Sequence, residues 1–394
     1  MKIRTISELT GLAGKYVLLR EDFNVQLLDG KVANTFRLSQ SLPTIRYLKE
    51  KGARVVIISH LGRPDGKPNP KYSLAPVALA LSELLGEPVA FHPDCLGAPI
   101  RKMRNGDVMM LENVRFHAGE EANDPAFANA LAAGFDIFVN DAFAVSHRAH
   151  ASVVGVAKIL PSYAGELLAA EVSTISKLMK KPKRPLMGII AGAKVSSKIG
   201  VLKSLVKICD TVAIAGGLGN TFKFALGANI GNSLHEPELK DAALEILELA
   251  KKNNCDVLLP IDKGVAKTES ADAARTDKAF GKIQPNDIIM DEGPKSIAEY
   301  ERAIDKSKTL VWNGTLGVAE WQPTWSAGTF AIARHVARRT RAGKLESIIG
   351  GGETEAALQD SGTDKDMTYV STGGGAFLEF IEGRKLPGIA ALGG

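Results

Sequence analysis

Short aliphatic and β-branched runs recur along the chain at 17–19, 55–58, 108–111 and 137–139, and again at 186–190, 212–215, 257–259, 288–290, 310–312, 348–349 and 369–370. Between them the apolar positions change to helical spacing; over 241–252, for example, Ala243, Leu244, Leu247 and Ala250 share one face. Alternation of strands and helices predicts an α/β chain whose parallel sheets are covered by helices on both sides. The two halves share this grammar without a fixed-period repeat. The charged, proline-bearing stretch KLMKKPKRP at 177–185 suits either a domain boundary or a solvated loop, and 166–179 reads as a helix linking the halves.

Length and charge narrow this picture. A chain of 394 residues exceeds one ordinary core, so two domains are expected. Lys+Arg number 49 against 44 Asp+Glu, a net +5 that is too small to imply nucleic acid or a membrane surface. No basic stripe with interleaved aromatics supports a nucleic-acid groove either. The three cysteines are odd in number and far apart, which reads as reduced thiols in a cytoplasmic protein. The N-terminal stretch lacks a continuous apolar core and no run approaches membrane-spanning length, so no membrane association is expected.

In open α/β sheets the residues just after each strand face the ligand. In the first half these are charged or amide-bearing: Arg20, Asp22 and Asn24 after the first run, then His60 and Arg63, Glu112 and Arg115, and Asp141, His147 and Arg148, with Arg37 following the first strand. Any one of them fits a surface ion pair. Four strand ends with the same character point to a small, multiply charged anion, for which Arg offers bidentate geometry. His147 and His150 are spaced for a metal, but a third ligand is missing. In the second half the same positions are glycine-rich: AGAKVSSK, AGGLGNTF, DEGP, NGTLG, GGGET and STGGGAF. Glycine lets backbone approach a ligand, and a following helix start favours phosphate. Neither GxxxxGK[ST] nor a GxGxxG opening a helix after the first strand occurs. Lys194 and Lys198, four apart, are candidate donors to a phosphoryl group.

The ordered strings REDFNV, SHLGRP, LENVRF, NDAF…HRAHAS, GAKVSSKIG, VWNG…GV, GGGET and STGGGAFLEF closely resemble the phosphoglycerate kinase family from about Lys15 to Gly388. The resemblance implies two doubly wound, Rossmann-like parallel-sheet domains joined by a hinge helix: 1–168, with the tail 380–394 packing back on it, and 169–379. It implies a cytoplasmic glycolytic kinase, expected to be a monomer, that transfers a phosphoryl group reversibly between 1,3-bisphosphoglycerate and Mg-ADP, giving 3-phosphoglycerate and ATP. Matched position by position, Asp22, Phe23, Asn24, Arg37, His60, Leu61, Gly62, Arg63, Arg115 and Arg148 would hold 3-phosphoglycerate. Lys198, Gly216, Gly217, Asn313, Glu320, Gly350, Gly351, Gly352, Glu353 and Thr354 would hold the nucleotide. Glu353 would face Mg²⁺, directly or through water, and Arg37, Lys194, Lys198, Gly373 and Gly374 would serve the transfer itself. Substrate and nucleotide on separate domains imply closure, with 166–179 and 372–379 as hinge candidates.

Against the family pattern the chain has Glu21 for Val, Gln26 for Pro, Ala144, Ala191 and Ala215 for Gly, Thr315 for Pro, Ala319 for Phe and Glu353 for Asp. Thr315 and Ala319 are expected to reshape the purine or ribose wall. Glu353, one methylene longer, is expected to alter metal or nucleotide affinity. The alternative is a catalytically weakened paralogue that binds phosphoglycerate as a sensor or scaffold; the retained Lys194, Lys198 and Glu320 argue for the enzyme.

Overall fold

The computed structural model describes residues 3–393; Met1, Lys2 and Gly394, at the ends of the expected domains, lie outside the described residues. The chain divides into two compact units, Met1–Ile175 with Lys385–Gly394, and Ser176–Arg384, the first division falling inside the helix Glu166–Lys180.

In the first unit the strands are β1 (Tyr16–Arg20), β2 (Leu27–Leu28), β3 (Lys31–Val32), β4 (Arg54–Ile58), β5 (Val89–His92), β6 (Val108–Leu111), β7 (Ile137–Asn140) and β8 (Ser162–Ala164). Six form a parallel sheet of order β5-β6-β4-β1-β7-β8, and β2 and β3 form a separate hairpin. Alternate side chains enter two cores. Val17, Leu19, Val55, Ile57 and Met110 pack on one face, and Leu18, Val56, Ile58, Met109 and Leu111 on the other. Burial on both faces explains why these strands read as unbroken apolar runs. Because β4 and β7 lie on opposite sides of β1, the strand order switches there, the point at which α/β sheets take a ligand at the carboxyl ends of the strands.

In the second unit β9 (Leu186–Ile190), β10 (Thr211–Ile214), β11 (Asp256–Leu258), β15 (Thr309–Asn313), β16 (Glu346–Gly350) and β17 (Tyr369–Ser371) form a parallel sheet of order β11-β10-β9-β15-β16-β17, reversing between β9 and β15. A core of Met187, Ile189, Ala213, Leu310, Trp312 and Ile349 lies against helices that include Ala327–Arg341. The helical face expected over 241–252 is buried at Ala243, Ile246 and Ala250, with Leu244 and Leu247 partly exposed.

The expectation of parallel sheets alone is incomplete. β12 (Asp262–Ala266), β13 (Thr276–Ala279) and β14 (Ile288–Glu292) form an antiparallel sheet of order β13-β12-β14. The run at 288–290 therefore belongs to this sheet, and DEGP begins inside β14 rather than after a strand of the main sheet. The cause is charge. Asp262 and Lys263 keep β12 from reading as an apolar run, yet both are buried, Asp262 accepting from the backbone of Lys295 and Ser296 at 3.0 and 2.8 Å. Among the described residues no helix is long and apolar enough to cross a membrane.

Candidate functional sites in the two units

Sheet order in the first unit brings the ends of β6, β4, β1 and β7 side by side, and with them the residues expected to bind an anion. After β1, Asp22 pairs with Arg37 and lies 3.8 Å from His60 Nδ1, and Phe23 is buried with its N–H donating to Ser59 Oγ at 2.9 Å. Gly62, at φ +62°, ties two neighbouring ends together: its N–H donates to Asn24 Oδ1 at 2.9 Å and its carbonyl accepts from the Arg115 guanidinium at 2.8 Å. A Cβ there would lie 2.4 Å from the Tyr72 ring, so only glycine fits. Leu61 is buried, Arg63 is exposed and Arg148 is half-buried.

These cations act on one another. Burial, then the charges of Arg20, Arg115 and Arg37, hold His60 well below the ordinary imidazole value. Burial, then Arg115, Arg148 and Arg20, pull His150 down to about 4. Both imidazoles are therefore neutral at pH 7, and the arginines carry the positive field. Beneath them runs a chain of contacts that the motif reading missed. Glu120, fully buried, accepts from Ser152 N and Oγ at 2.8 and 2.6 Å; Ser152 Oγ accepts from Arg20 Nε at 2.9 Å; and the Arg20 guanidinium reaches His60 Nδ1 at 3.2 Å. Arg20 was visible as a strand-end charge, but nothing local in the sequence marks Glu120 or Ser152. His150 Nδ1 lies 3.7 Å from Glu120 Oε1, so this histidine faces a carboxylate beside the arginines.

In the second unit Lys198 sits where the sheet order reverses. Its ammonium donates to Asn313 Oδ1 at 2.6 Å and to the Ala191 carbonyl, joining the segment after β9 to the end of β15. Burial pulls this amine down to about 8, opposed by the Glu353 carboxylate. Asn313 Nδ2 donates to the Gly350 carbonyl at 2.6 Å and Thr354 Oγ1 accepts from Gly314 N at 2.7 Å, so β15 and β16 are tied through site residues as well as through the ladder. Gly351, at φ +103°, caps the helix Gly352–Asp360, which presents the exposed Glu353 in its first turn. Gly373 is buried, and Gly374, at φ +50°, caps the helix Gly375–Ile381. Lys194 is exposed, close enough to Glu236 to help lower that carboxyl, whose own hydrogen bonds to Ser196 act more strongly.

A cavity of about 570 Å³ opens beside this row. Backbone of Gly192, Ala193, Gly216 and Gly217 lines one part, Leu316, Val318 and Ile289 another, and Glu320 and Glu353 bring carboxylates to it. Thr315 is among its lining residues. Ala319 is not: it packs with Phe330 and Ala357 in a small apolar cluster. Lys263 lies buried behind this wall, its ammonium 3.4 Å from the Gly216 carbonyl, and sequence reasoning missed it because a lysine inside a strand signals solvent exposure.

Comparison with known proteins shows the family and the fold. The family model described as phosphoglycerate kinase matches residues 6–384. The chain is 49% identical over 393 residues to a phosphoglycerate kinase of Methylorubrum populi, covering 99% of this chain and 98% of that one. The phosphoglycerate kinase structure from Coxiella burnetii superposes with a TM-score of 0.87 at 42% identity, covering 100% of this chain and 99% of that one. That from Pyrococcus horikoshii gives 0.86 at 29%, covering 99% and 98%.

Proposed function

We propose a division of labour for this chain, which belongs to the phosphoglycerate kinase family: the first unit holds 3-phosphoglycerate and the second the nucleotide. The chain is a phosphotransferase that moves a phosphoryl group reversibly between 1,3-bisphosphoglycerate and ADP. No feature favours the sensor or scaffold alternative. The observation that carries the assignment of sites is the contrast between strand ends: buried and half-buried arginines acting on one histidine in one unit, and a glycine-walled cavity beside a half-buried lysine in the other.

In this reading Arg37, Arg63, Arg115 and Arg148 neutralise the substrate's phosphate and carboxylate, while Asp22, Asn24 and His60 fix their orientation and that of the hydroxyl. Phe23, Leu61 and Gly62 shape the floor. The attacking carboxylate is already ionised at neutral pH, so no general base is required. What the protein must supply is alignment and compensation for charge spreading over the transferring oxygens. Within the second unit Lys198 is pre-aimed by Asn313, and Lys194 and the N–H groups around Gly373 and Gly374 add to that environment; within the first unit Arg37 is the charge assigned to the transfer. Asn313, Gly216, Gly217, Gly350, Gly351, Gly352 and Thr354 form the nucleotide's walls, with Glu320 offered to the ribose.

Mg²⁺ fits the donor set. Glu353 is one exposed oxygen donor at the cavity edge, and Mg²⁺ takes one or two carboxylates together with phosphates and waters. When bound it would screen the nucleotide phosphates. Buried, unpaired Cys95, Cys209 and Cys255 support a reducing, cytoplasmic setting, and a monomer suffices because each half-site is built within one unit. A coupled assay of ATP- and Mg²⁺-dependent 3-phosphoglycerate phosphorylation tests the whole reading; no turnover above background would end it. In the same assay Glu353→Asp should shift the Mg²⁺ dependence and the nucleotide KM. Unchanged values would remove Glu353 from the metal's neighbourhood.

A further inference from the structure

Lys263 and Glu292 face each other across the β12–β14 pair, both with no solvent-exposed surface, their charged atoms 2.6 Å apart. The pair reaches across to Gly216, the first residue of the helix Gly216–Ala225, and holds both of its backbone groups. Gly216 N–H donates to Glu292 Oε1 at 2.8 Å, and its carbonyl lies 3.4 Å from the Lys263 ammonium. The other Glu292 oxygen is buried with no hydrogen-bond partner among the described residues, so this carboxylate is committed to Lys263 and Gly216.

Stability alone does not explain the pair. Withdrawing two charges from water costs about as much as their attraction returns, and apolar residues of the same volume commonly do as well or better. A positional demand does explain it. Gly216 and Gly217 form part of the cavity wall but carry no side chains with which packing could fix them. The clearances are small: a Cβ on Gly216 would lie 3.0 Å from Gly192 N, and one on Gly217 would lie 2.5 Å from Ala193 O. Gly216 also has φ +65°, a conformation that glycine adopts without being held to it.

We infer that the buried Lys263–Glu292 pair is a clamp that sets the glycine wall of the nucleotide cavity, making both residues positioning residues for nucleoside di- and triphosphate binding. This rests on the reading of that cavity as the nucleotide's. The apolar exchange Lys263→Met with Glu292→Leu removes the clamp while filling its space. The nucleotide KM should rise about ten- to a hundredfold, since a misplacement of about an ångström can cost up to about a hundredfold, while the 3-phosphoglycerate KM and the thermal midpoint stay where they were. An unchanged nucleotide KM in the folded double variant would reduce the pair to structure and overturn the inference. Should the double variant not fold, Glu292→Gln keeps an acceptor for Gly216 but loses the charge. It should show a smaller rise confined to the nucleotide KM, and equal rises for both substrates would overturn the clamp. Calorimetric titration of the unmodified protein with Mg-ADP separates the two readings: no binding there overturns the cavity assignment, whereas binding equal to that of the double variant overturns only the clamp.

Discussion

Lys198 is held by two oxygens, the Asn313 amide and the Ala191 carbonyl, in a setting dry enough to pull its amine from 10.5 to about 8. In the free enzyme its charge should therefore be lost as pH rises through about 8, and kcat/KM for the nucleotide should fall with it. In Lys198→Arg the cation does not titrate, so that alkaline limb should disappear from the pH–rate profile. The variant should nonetheless be slower, because a planar fork does not fit the seat of a point charge. A limb that survives in the variant would assign the titration elsewhere. The stability sign follows from the same shift. Between about 8 and 10.5 the unfolded lysine still binds a proton that the folded one has released, so this group makes stability rise with pH across that window. Residues of this kind were legible because strand-end position and charge are local properties. Glu120, Ser152 and Glu292 were not, because their meaning lies in partners far along the chain: Ser152 and Arg20 are 132 residues apart.

The loop after β4 shows how an element serves the site. Gly62 joins Asn24 to Arg115 through its two backbone groups, and its left-handed backbone beside Tyr72 leaves no room for a Cβ. Gly62→Ala should push this loop outward and raise the 3-phosphoglycerate KM on the order of 10- to 100-fold, leaving the nucleotide KM unchanged. Steady-state kinetics with each substrate varied in turn checks this. Equal changes in both would mean a general loss of structure. At this scale the apolar runs announced the central strands, whose two buried faces demand them. They did not announce the short β5 or β8, nor β12, whose charges are satisfied inside the fold by Glu292 and by a helix start.

Across a whole unit, buried ionisable groups set the response to pH. Glu21 and Asp141 each follow the last residue of the paired strands β1 and β7, Arg20 and Asn140, and both are buried. Burial, with Asp141 as the next cause, raises the Glu21 carboxyl well above its ordinary range; burial lifts Asp141 to about 7. A raised carboxyl keeps its proton in the fold after the unfolded chain has lost it. Its stabilising share is present below about 4 and lost as pH rises through the folded value. His60 and His150 act oppositely: their folded values are lowered, so stability falls as pH drops below 6.5 and the unfolded imidazoles take up protons. Glu21→Gln should therefore raise the urea midpoint at pH 8 relative to the unsubstituted protein and give little gain at pH 5. An equal gain at both would show that the Glu21 proton is not involved. The sequence by itself determined the α/β class, the charged and glycine-rich strand ends and the family, because periodicity and short motifs are written in neighbouring residues. Only the tertiary structure decided the antiparallel sheet, the Glu120–Ser152–Arg20 support and the Lys263–Glu292 pair. A charge is tolerated in a dry interior only when a partner from another segment meets it there, and which segment does so is settled by packing.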